Sequence, residues 1–262
     1  MTNSIPNCLL NVKGVSKRFG GLQALDQVDL EIQSGQIVGL IGPNGAGKTT
    51  FFNVVTGLYQ ADVGHFHFNG RTLNPNAVDL VTQAGIARTF QNIRLFGDMT
   101  VLENVMVGRH CRTQAGLWGA ILRTKRTQIE EREIANRALD LLKYVGIESY
   151  AHLTAKHLSY GHQRRLEIAR ALATDPLLLA LDEPAAGMNA TEKLGLRLLL
   201  EKIRNDGISI LLIEHDVKLV MGLCDQLTVL DYGRVIAQGV PESVRRDSAV
   251  IKAYLGSSGV VQ

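Results

Sequence analysis

Residues 37–55 read IVGLIGPNGAGKTTFFNVV, and this stretch decides how the rest of the chain is interpreted. A short apolar run at residues 37–41 has the length and composition of a strand that is buried on both faces. Residues 42–49 then fit the pattern G-x-x-x-x-G-K-[ST] in full, and residues 50–55 have the pattern of a helix. Strand, glycine-rich loop and helix, in this order, are the structural context in which that pattern is meaningful.

The glycine-rich loop predicts a phosphate-binding site. Its glycines let successive backbone N–H groups point inward at phosphates, and the following helix N-terminus adds a favourable dipole. Lys48 is expected to neutralise the β- and γ-phosphates, and the Thr49 hydroxyl is a hard oxygen suited to Mg²⁺. The alternative, glycines that only shape a turn, does not require the order Gly-Lys-Thr. We expect ATP to be bound by Gly42, Pro43, Asn44, Gly45, Ala46, Gly47, Lys48, Thr49 and Thr50, and Mg²⁺ by Thr49 alone among these residues.

A second apolar run, residues 177–181, ends in the acidic pair Asp182 and Glu183. An aspartate at the tip of a buried strand beside a phosphate loop holds Mg²⁺, usually through water. Glu183 would then lie near the γ-phosphate, where it can act as general base on the attacking water. An isolated Asp-Glu pair would more often be a solvated loop, but its position after a buried strand favours the chemical role. The two sites together predict hydrolysis of Mg-ATP.

Composition is that of an ordinary globular protein. The chain has 262 residues, 45% hydrophobic and 20% charged, with a net charge of +3, so charge does not indicate nucleic acid or an anionic membrane surface as a partner. Its three cysteines, Cys8, Cys111 and Cys224, suggest neither disulfides nor zinc and fit a reducing cytosol. Neither a signal peptide nor a run of roughly 20 apolar residues is evident. We therefore expect any work at a membrane to depend on a partner.

Three patterns of apolar spacing occur along the chain. Continuous apolar runs separated by helical patterns predict a parallel sheet covered on both faces, at residues 37–41, 177–181 and 208–213. Alternating apolar and polar residues predict an antiparallel β lobe, at residues 9–12, 28–32 and 63–68, with a turn at Asn69-Gly70. Helical spacing predicts an inserted helical lobe from about residue 100 to 158.

Within the helical lobe, one apolar stripe is expected to face the core: Ile134, Ala138, Leu141, Leu142 and Val145. The basic residues 123–126 lie beside Trp118. They fit either a solvated surface or a binding patch, and the former is favoured.

Three further features resemble one family. Residues 158–163 read LSYGHQ ahead of a helix expected at 164–174, and they resemble the signature LSGGQ of ABC-transporter ATP-binding subunits. His215, just past the run at 208–213, stands where that family has its switch histidine, although a lone histidine is more often a surface or core residue. Gln91 resembles the glutamine of the family's Q-loop. With the phosphate loop and the acidic pair, all five elements occur in the family's order, and the resemblance covers nearly the whole chain.

Longer segments narrow the resemblance to the ATP-binding subunits of bacterial branched-chain amino acid importers. They are residues 86–96, 158–161, 164–170, 182–187 and the tail 251–256. The resemblance implies an α/β fold, in which a RecA-like P-loop core carries an N-terminal antiparallel β lobe and an inserted α-helical lobe. It also implies one ATP-binding domain at 8–258, with 96–163 as the helical lobe and 8–95 and 164–258 as the β lobe and core.

The resemblance further implies partners and roles. Two cassettes, identical or sister subunits, would form a head-to-tail dimer in which Ser159 and Gly161 of one chain contact the ATP of the other. His215 would contact the γ-phosphate and Glu183, and Gln91 would contact Mg²⁺ or the attacking water. Phe19 would stack on adenine, unless it only covers the edge of the core. Two transmembrane permeases and a substrate-binding protein would complete an importer at the cytoplasmic face of the inner membrane, with no nucleic acid involved.

Three residues depart from the family pattern: Tyr160 and His162 in the signature, and Asn189 in place of an interface aspartate. Ser159 and Gly161 remain, so we expect contact with the opposite ATP to survive.

An ATP-binding subunit of the same kind that serves urea import or lipopolysaccharide export stays open as an alternative. A soluble ABC protein is disfavoured because the chain has one cassette and a modest insertion, and a GTPase because the base-reading pattern Asn-Lys-x-Asp is absent from the sequence.

Overall fold

Two β-sheets form the framework of the computed structural model, which describes residues 8–109 and 125–257. The first sheet is antiparallel, in the order β2-β1-β4-β5, and the second has the order β10-β9-β3-β8-β7-β6. The second sheet is parallel from β9 to β6, and β10 is an antiparallel edge strand. The strands are β1 (Cys8–Phe19), β2 (Leu22–Gln33), β3 (Ile37–Ile41), β4 (Val63–Phe68), β5 (Arg71–Leu73), β6 (Ile86–Arg88), β7 (Leu178–Asp182), β8 (Ser209–Ile213), β9 (Gln226–Asp231) and β10 (Arg234–Gly239).

The antiparallel lobe confirms the prediction from alternating residues. All three predicted segments lie in its strands β1, β2 and β4. Asn69 and Gly70 both have positive φ, at 49° and 72°. This is the conformation that a two-residue turn between antiparallel strands favours, and it joins β4 to β5.

The parallel sheet is the buried centre of the fold. All five residues of β3, of β7 and of β8 are buried. Side chains alternate between the two faces: Val38 and Leu40 belong to one apolar cluster, and Ile37 and Ile41 to another. Because both faces are covered, these strands appear in the sequence as unbroken apolar runs. The predicted α/β architecture is confirmed.

Helices cover both faces of this sheet and build the lobe beside it. They are α1 (Lys48–Val55), α2 (Val78–Ala84), α3 (Val101–Arg109), α4 (Lys125–Val145), α5 (Tyr160–Leu172), α6 (Ala190–Asn205), α7 (Val217–Leu223), α8 (Pro241–Arg245) and α9 (Ser248–Ser257). Within the described ranges, none of these helices has the length and apolarity to cross a bilayer. The stripe predicted on α4 is confirmed, since its five apolar residues are all buried.

Helix α5 begins earlier than the sequence predicted. It was expected to start at residue 164, but Ser159 is its N-cap and Tyr160 is its first helical residue. The extended backbone of Ser159, with φ −61° and ψ 157°, ends the preceding segment. The signature therefore forms the first turn of the helix itself. Cys111 and Trp118, and the start of the basic stretch 123–126, lie outside the described residues.

Candidate functional site

The phosphate loop is held by its own lysine. It connects β3 to α1, and the buried Lys48 Nζ donates hydrogen bonds to the carbonyl oxygens of Gly42 at 2.8 Å and Pro43 at 2.9 Å. Burial lowers the pKa of Lys48, while the nearby charges of Glu183 and Asp182 act in the opposite direction. A cation at this depth provides strong attraction for phosphate oxygens, because little water screens it.

Two glycines of the loop have no room for a side chain. A Cβ on Gly42 would lie 2.1 Å from the carbonyl oxygen of Leu230, and one on Gly47 would lie 2.7 Å from that of Ala24. Gly47 also has φ 101°, which L-residues rarely adopt. The neighbouring strands β9 and β2 therefore confine the loop, which explains why the pattern requires glycine at its two ends.

Two predicted site residues, Gln91 and His215, meet at the carboxylate of a third, Glu183. Gln91 Nε2 donates a hydrogen bond to Glu183 Oε2 at 3.2 Å, and His215 Nδ1 lies 3.6 Å from the same oxygen. The backbone N–H of Glu183 is bonded to the carbonyl oxygen of Ile213 at 2.9 Å. Glu183 has φ 46°, a left-handed conformation that is uncommon for this residue type and occurs often at functional sites. Residues far apart in the sequence thus form one polar cluster.

Asp182 has the environment of a metal-binding carboxylate. It is 3% exposed, and its Oδ1 has no hydrogen-bond partner among the residues that the structure describes. Burial, together with the charge of Glu183, raises its pKa to about 6. No group of three His, Cys, Asp or Glu residues within 8–109 and 125–257 could hold a metal alone. This donor set suits Mg²⁺, which is commonly held by few carboxylates together with phosphate and water.

A cleft of about 360 Å³ lies over the phosphate loop. Phe19 forms part of its wall, with 43% of the residue exposed, and its ring meets that of Tyr59 edge-on at 5.4 Å. The described residues that line this cleft are Phe19, Leu22, Gln23, Ala24, Asn44, Gly45, Ala46, Gly47, Lys48, Thr49, Thr50, Glu183, Tyr232 and Gly233. Phe19 therefore lies beside the phosphate loop, and its stacking on adenine stays a prediction. Leu22 and Gln23 at the start of β2, and Tyr232 between β9 and β10, carried no sequence signal, because residues of these types are common on protein surfaces.

Ser159 and Gly161 lie apart from that cleft. They are not among its described lining residues, and they occupy the start of α5 instead. Ser159 is exposed, and its side chain caps no N–H in the described part of the chain. Gly161 is buried against α6, where a Cβ would lie 2.7 Å from Oε1 of Glu192. The exposed helix N-terminus can accept an anion from another molecule.

The departures from the family pattern have local explanations. Asn189 caps α6: its side chain accepts a hydrogen bond from the N–H of Glu192, whose carboxylate accepts one from the N–H of Asn189. The hydroxyl of Tyr160 accepts a hydrogen bond from Arg164 at 3.0 Å. The ring of His162 packs against Tyr150, with 4.7 Å between centroids.

A buried ion pair, which the sequence did not reveal, joins α5 to the segment of Gln91. Arg164 and Glu167 are 2% and 1% exposed, and their side chains lie 3.0 Å apart. Arg164 donates to the carbonyl oxygens of Phe90 and Gln91, and Glu167 accepts from the N–H of Phe90. The start of the signature helix and the backbone at Gln91 are therefore one hydrogen-bonded unit. Buried charges without partners are unfavourable, so both members of the pair are needed.

Together these features define a P-loop nucleotide-binding cassette. Comparison with known proteins agrees with this class. The family model described as ABC transporter matches residues 25–186. A second model, described as branched-chain amino acid ATP-binding cassette transporter, matches residues 234–260.

Individual relatives extend the match to almost the whole chain. A protein of Escherichia coli K12, the high-affinity branched-chain amino acid transport ATP-binding protein LivG, is 45% identical over 95% of this chain and 98% of its own. A crystal structure of a nucleotide-free ATP-binding cassette from an ABC transporter has a TM-score of 0.83 and 30% identity, covering 94% of this chain and 98% of that one. A dimeric structure of a bacterial ABC transporter cassette has a TM-score of 0.76 and 26% identity, covering 89% and 99%.

The chain belongs to the ABC-transporter ATP-binding family, in the branch of the branched-chain amino acid transport ATP-binding proteins. Its membership makes it an ATP-binding and ATP-hydrolysing cassette. The predicted fold class and the predicted family are both confirmed.

The raised pKa of Asp182 predicts a pH-dependent stability. The pKa is about 6 in the folded chain against an ordinary value of 3.8 for this side chain, so the ionised carboxylate destabilises the folded state above pH 6. The penalty declines as the pH falls through 6 and is absent below 3.8. Without metal and nucleotide, Asp182→Asn should raise the free energy of unfolding at pH 8 by about 2 kcal/mol. Urea denaturation between pH 8 and pH 4 should show most of this gain disappearing.

Asp98→Asn is the matched control, because Lys156 lowers the pKa of Asp98. This variant should show no gain in stability at pH 8. A gain for Asp182→Asn that is equal at every pH, or a loss at pH 8, would contradict the account.

Proposed function

We propose that the chain is the ATP-hydrolysing motor subunit of an importer for branched-chain amino acids. The observation that carries this proposal is the convergence of Gln91 and His215 on the carboxylate of Glu183, beside the loop of Lys48. Gln91, Glu183 and His215 come from three separate segments of the chain. A γ-phosphate bound between them would therefore contact all three segments. The names of the relatives supply the substrate class.

In the proposed cycle, the groups around Glu183 divide the chemistry. Lys48 leaves its loop carbonyls to bind the β- and γ-phosphates, and Glu183 accepts a proton from the attacking water. His215 contacts the γ-phosphate, and Gln91 contacts the metal or the water. Mg²⁺, held by Thr49, Gln91 and Asp182, would neutralise charge that develops on the phosphates. Phe19 stacks on adenine, and the other loop residues donate backbone N–H groups.

We propose that a second cassette completes each ATP site. The signature residues Ser159 and Gly161 lie away from the cleft of their own chain, at an exposed helix start. A head-to-tail partner, identical or a sister subunit, would bring them to the γ-phosphate. The related cassette that is dimeric supports this arrangement. ATP would close the dimer, and hydrolysis with phosphate release would reopen it.

We propose that the membrane partner docks on the surface formed by residues 91–99, at the junction with the helical lobe. Next to this surface, the guanidinium groups of Arg88 and Arg94 lie 4.5 Å and 4.7 Å from the centroid of the Phe90 ring. Phe96 and Met99 are exposed apolar residues on this surface. A short helix of a permease would fit such a surface.

The proposed assembly couples that docking surface to the ATP site. The lobe at 96–163 would move with the permeases, while 8–95 and 164–258 hold the nucleotide. Two transmembrane permeases and a substrate-binding protein would complete an importer at the cytoplasmic face of the cell membrane, with this chain bound through the permeases.

Replacing Glu183 tests the motor role and the substrate together. In source cells whose single copy carries Glu183→Gln, uptake of labelled leucine, isoleucine and valine should be lost. The amide keeps nucleotide affinity within about threefold but removes the base, which lowers hydrolysis at least roughly 100-fold. Uptake and single-turnover hydrolysis are the two measurements.

Labelled urea is the control substrate in the same cells. Intact uptake of all three amino acids, with hydrolysis lost, would overturn the substrate assignment. It would favour urea import or lipopolysaccharide export. Undiminished hydrolysis would overturn the role of Glu183 itself.

The docking surface predicts a separation of transport from hydrolysis. Met99→Asp places a charge on the surface without touching the phosphate loop, so uptake should fall at least about tenfold while ATPase activity of the isolated chain changes less than about twofold. Leu139→Asp on α4 is the matched control, since both side chains belong to residues that are 39% exposed. Loss of hydrolysis in parallel with uptake, or equal effects of the two variants, would show that the docking site is wrong.

A further inference from the structure

Glu214 is a buried carboxylate to which neither the sequence nor the proposed cycle gives a role. It follows β8, comes directly before His215, and is 1% exposed. Its Oε1 accepts a hydrogen bond from the N–H of Ala185 at 2.8 Å. Its Oε2 accepts from the N–H of His215 at 3.2 Å and receives a longer contact from Asp216 at 3.5 Å. Burial raises its pKa, and these N–H groups act in the opposite direction.

These contacts join two loops of the site. One loop leaves β7 and carries Glu183 and then Ala185, and the other leaves β8 and carries His215. The first loop is also tied to β8 by the bond from Glu183 N–H to the Ile213 carbonyl oxygen. Glu214 therefore binds the backbone of both loops close to Glu183 and His215, whose side chains lie 3.6 Å apart.

His215 depends on such backbone anchoring, because its own side chain is 63% exposed. On its other side, Asp216 caps α7 through the N–H groups of Lys218 and Leu219. Asp216 is also paired with Lys193 of α6 at 2.6 Å. The backbone of His215 is thus held in place by the contacts of Glu214 and Asp216 on either side of it. Its exposed ring remains accessible to a phosphate.

We propose that Glu214 is a positioning residue for ATP hydrolysis, which sets the distance between Glu183 and His215 by holding the two loops together through backbone N–H groups. The proposal rests on the roles proposed above for Glu183 and His215. An ionised carboxylate that accepts from several N–H groups makes charge-assisted bonds, which are stronger and more directional than neutral ones. Small displacements of groups that act on a reacting atom lower rates steeply.

Two substitutions separate positioning from folding. Glu214→Ala removes the acceptor from both loops, so kcat for ATP should fall between about 10-fold and 100-fold. The dissociation constant for ATP, measured by fluorescence or calorimetry, should change less than about threefold, because Lys48 and its loop follow a different strand, β3. Glu214→Gln preserves the shape and keeps an oxygen for one loop, but turns an amide donor toward the N–H groups of the other. Its kcat should lie between those of the wild type and of Glu214→Ala.

Asp225→Ala is the matched control. Asp225 also binds a backbone N–H of this sheet, that of Ile37 at 2.8 Å, but at the opposite end of β3 from the phosphate loop. This variant should lower the melting temperature while leaving kcat within about twofold of wild type at a temperature where it is folded. If kcat and nucleotide affinity of the Glu214 variants fall in proportion, or if Glu214→Gln keeps the full kcat, the positioning role is overturned.

Measurements on Glu183→Gln distinguish a failure of the proposed base from a failure of the positioning role of Glu214. Continued hydrolysis by that variant would refute the proposed base. The ratio of kcat to affinity in the Glu214 variants would still decide whether Glu214 positions the site. Should Glu214→Ala fail to fold, the isosteric Glu214→Gln decides alone.

Discussion

The parallel register of three strands is the constraint on which the site depends. In this register Leu40 of β3 and Asp182 of β7 both stand opposite Ile213 of β8. The carboxyl ends of the three strands therefore lie at one edge of the sheet, and the phosphate loop, the acidic pair and the loop of His215 all start there. Ligands of open α/β sheets bind at this edge, since the loops that follow the strands are the parts free to carry chemistry.

Unusual polar environments are concentrated at that edge. Lys48 is buried against two carbonyl oxygens, Asp182 holds a buried oxygen with no partner in the described residues, and Glu183 has a left-handed backbone. A buried cation and a buried carboxylate oxygen are costly unless opposite charge compensates them, and phosphate and Mg²⁺ would supply that charge. The carboxylate of Glu214 differs from these groups, because it accepts hydrogen bonds from backbone N–H groups of the chain itself. The site thus combines groups suited to bind a ligand with one that positions the loops around them.

The sequence predicts those elements whose residue types are dictated by local physics. The phosphate loop is recognisable because Gly42 and Gly47 have no space for a Cβ, and β3, β7 and β8 because both faces of their sheet are covered. Contacts between distant segments cannot be predicted in this way. The pairing of Arg164 with the segment of Gln91, and of Glu214 with Ala185, depends on the assembled fold. Strands of three residues, such as β5 and β6, are too short to show a period.

The most direct test is a crystal structure of the Glu183→Gln chain with Mg-ATP. We expect a γ-phosphate in contact with Lys48, with Gln91 and His215 turned to the phosphate or metal at hydrogen-bond distances of about 3 Å. We also expect Mg²⁺ on the Thr49 hydroxyl, facing Asp182 directly or through one water. A γ-phosphate beyond the reach of both Gln91 and His215, or a metal remote from Asp182, would contradict the claim that the strand ends form one hydrolytic site.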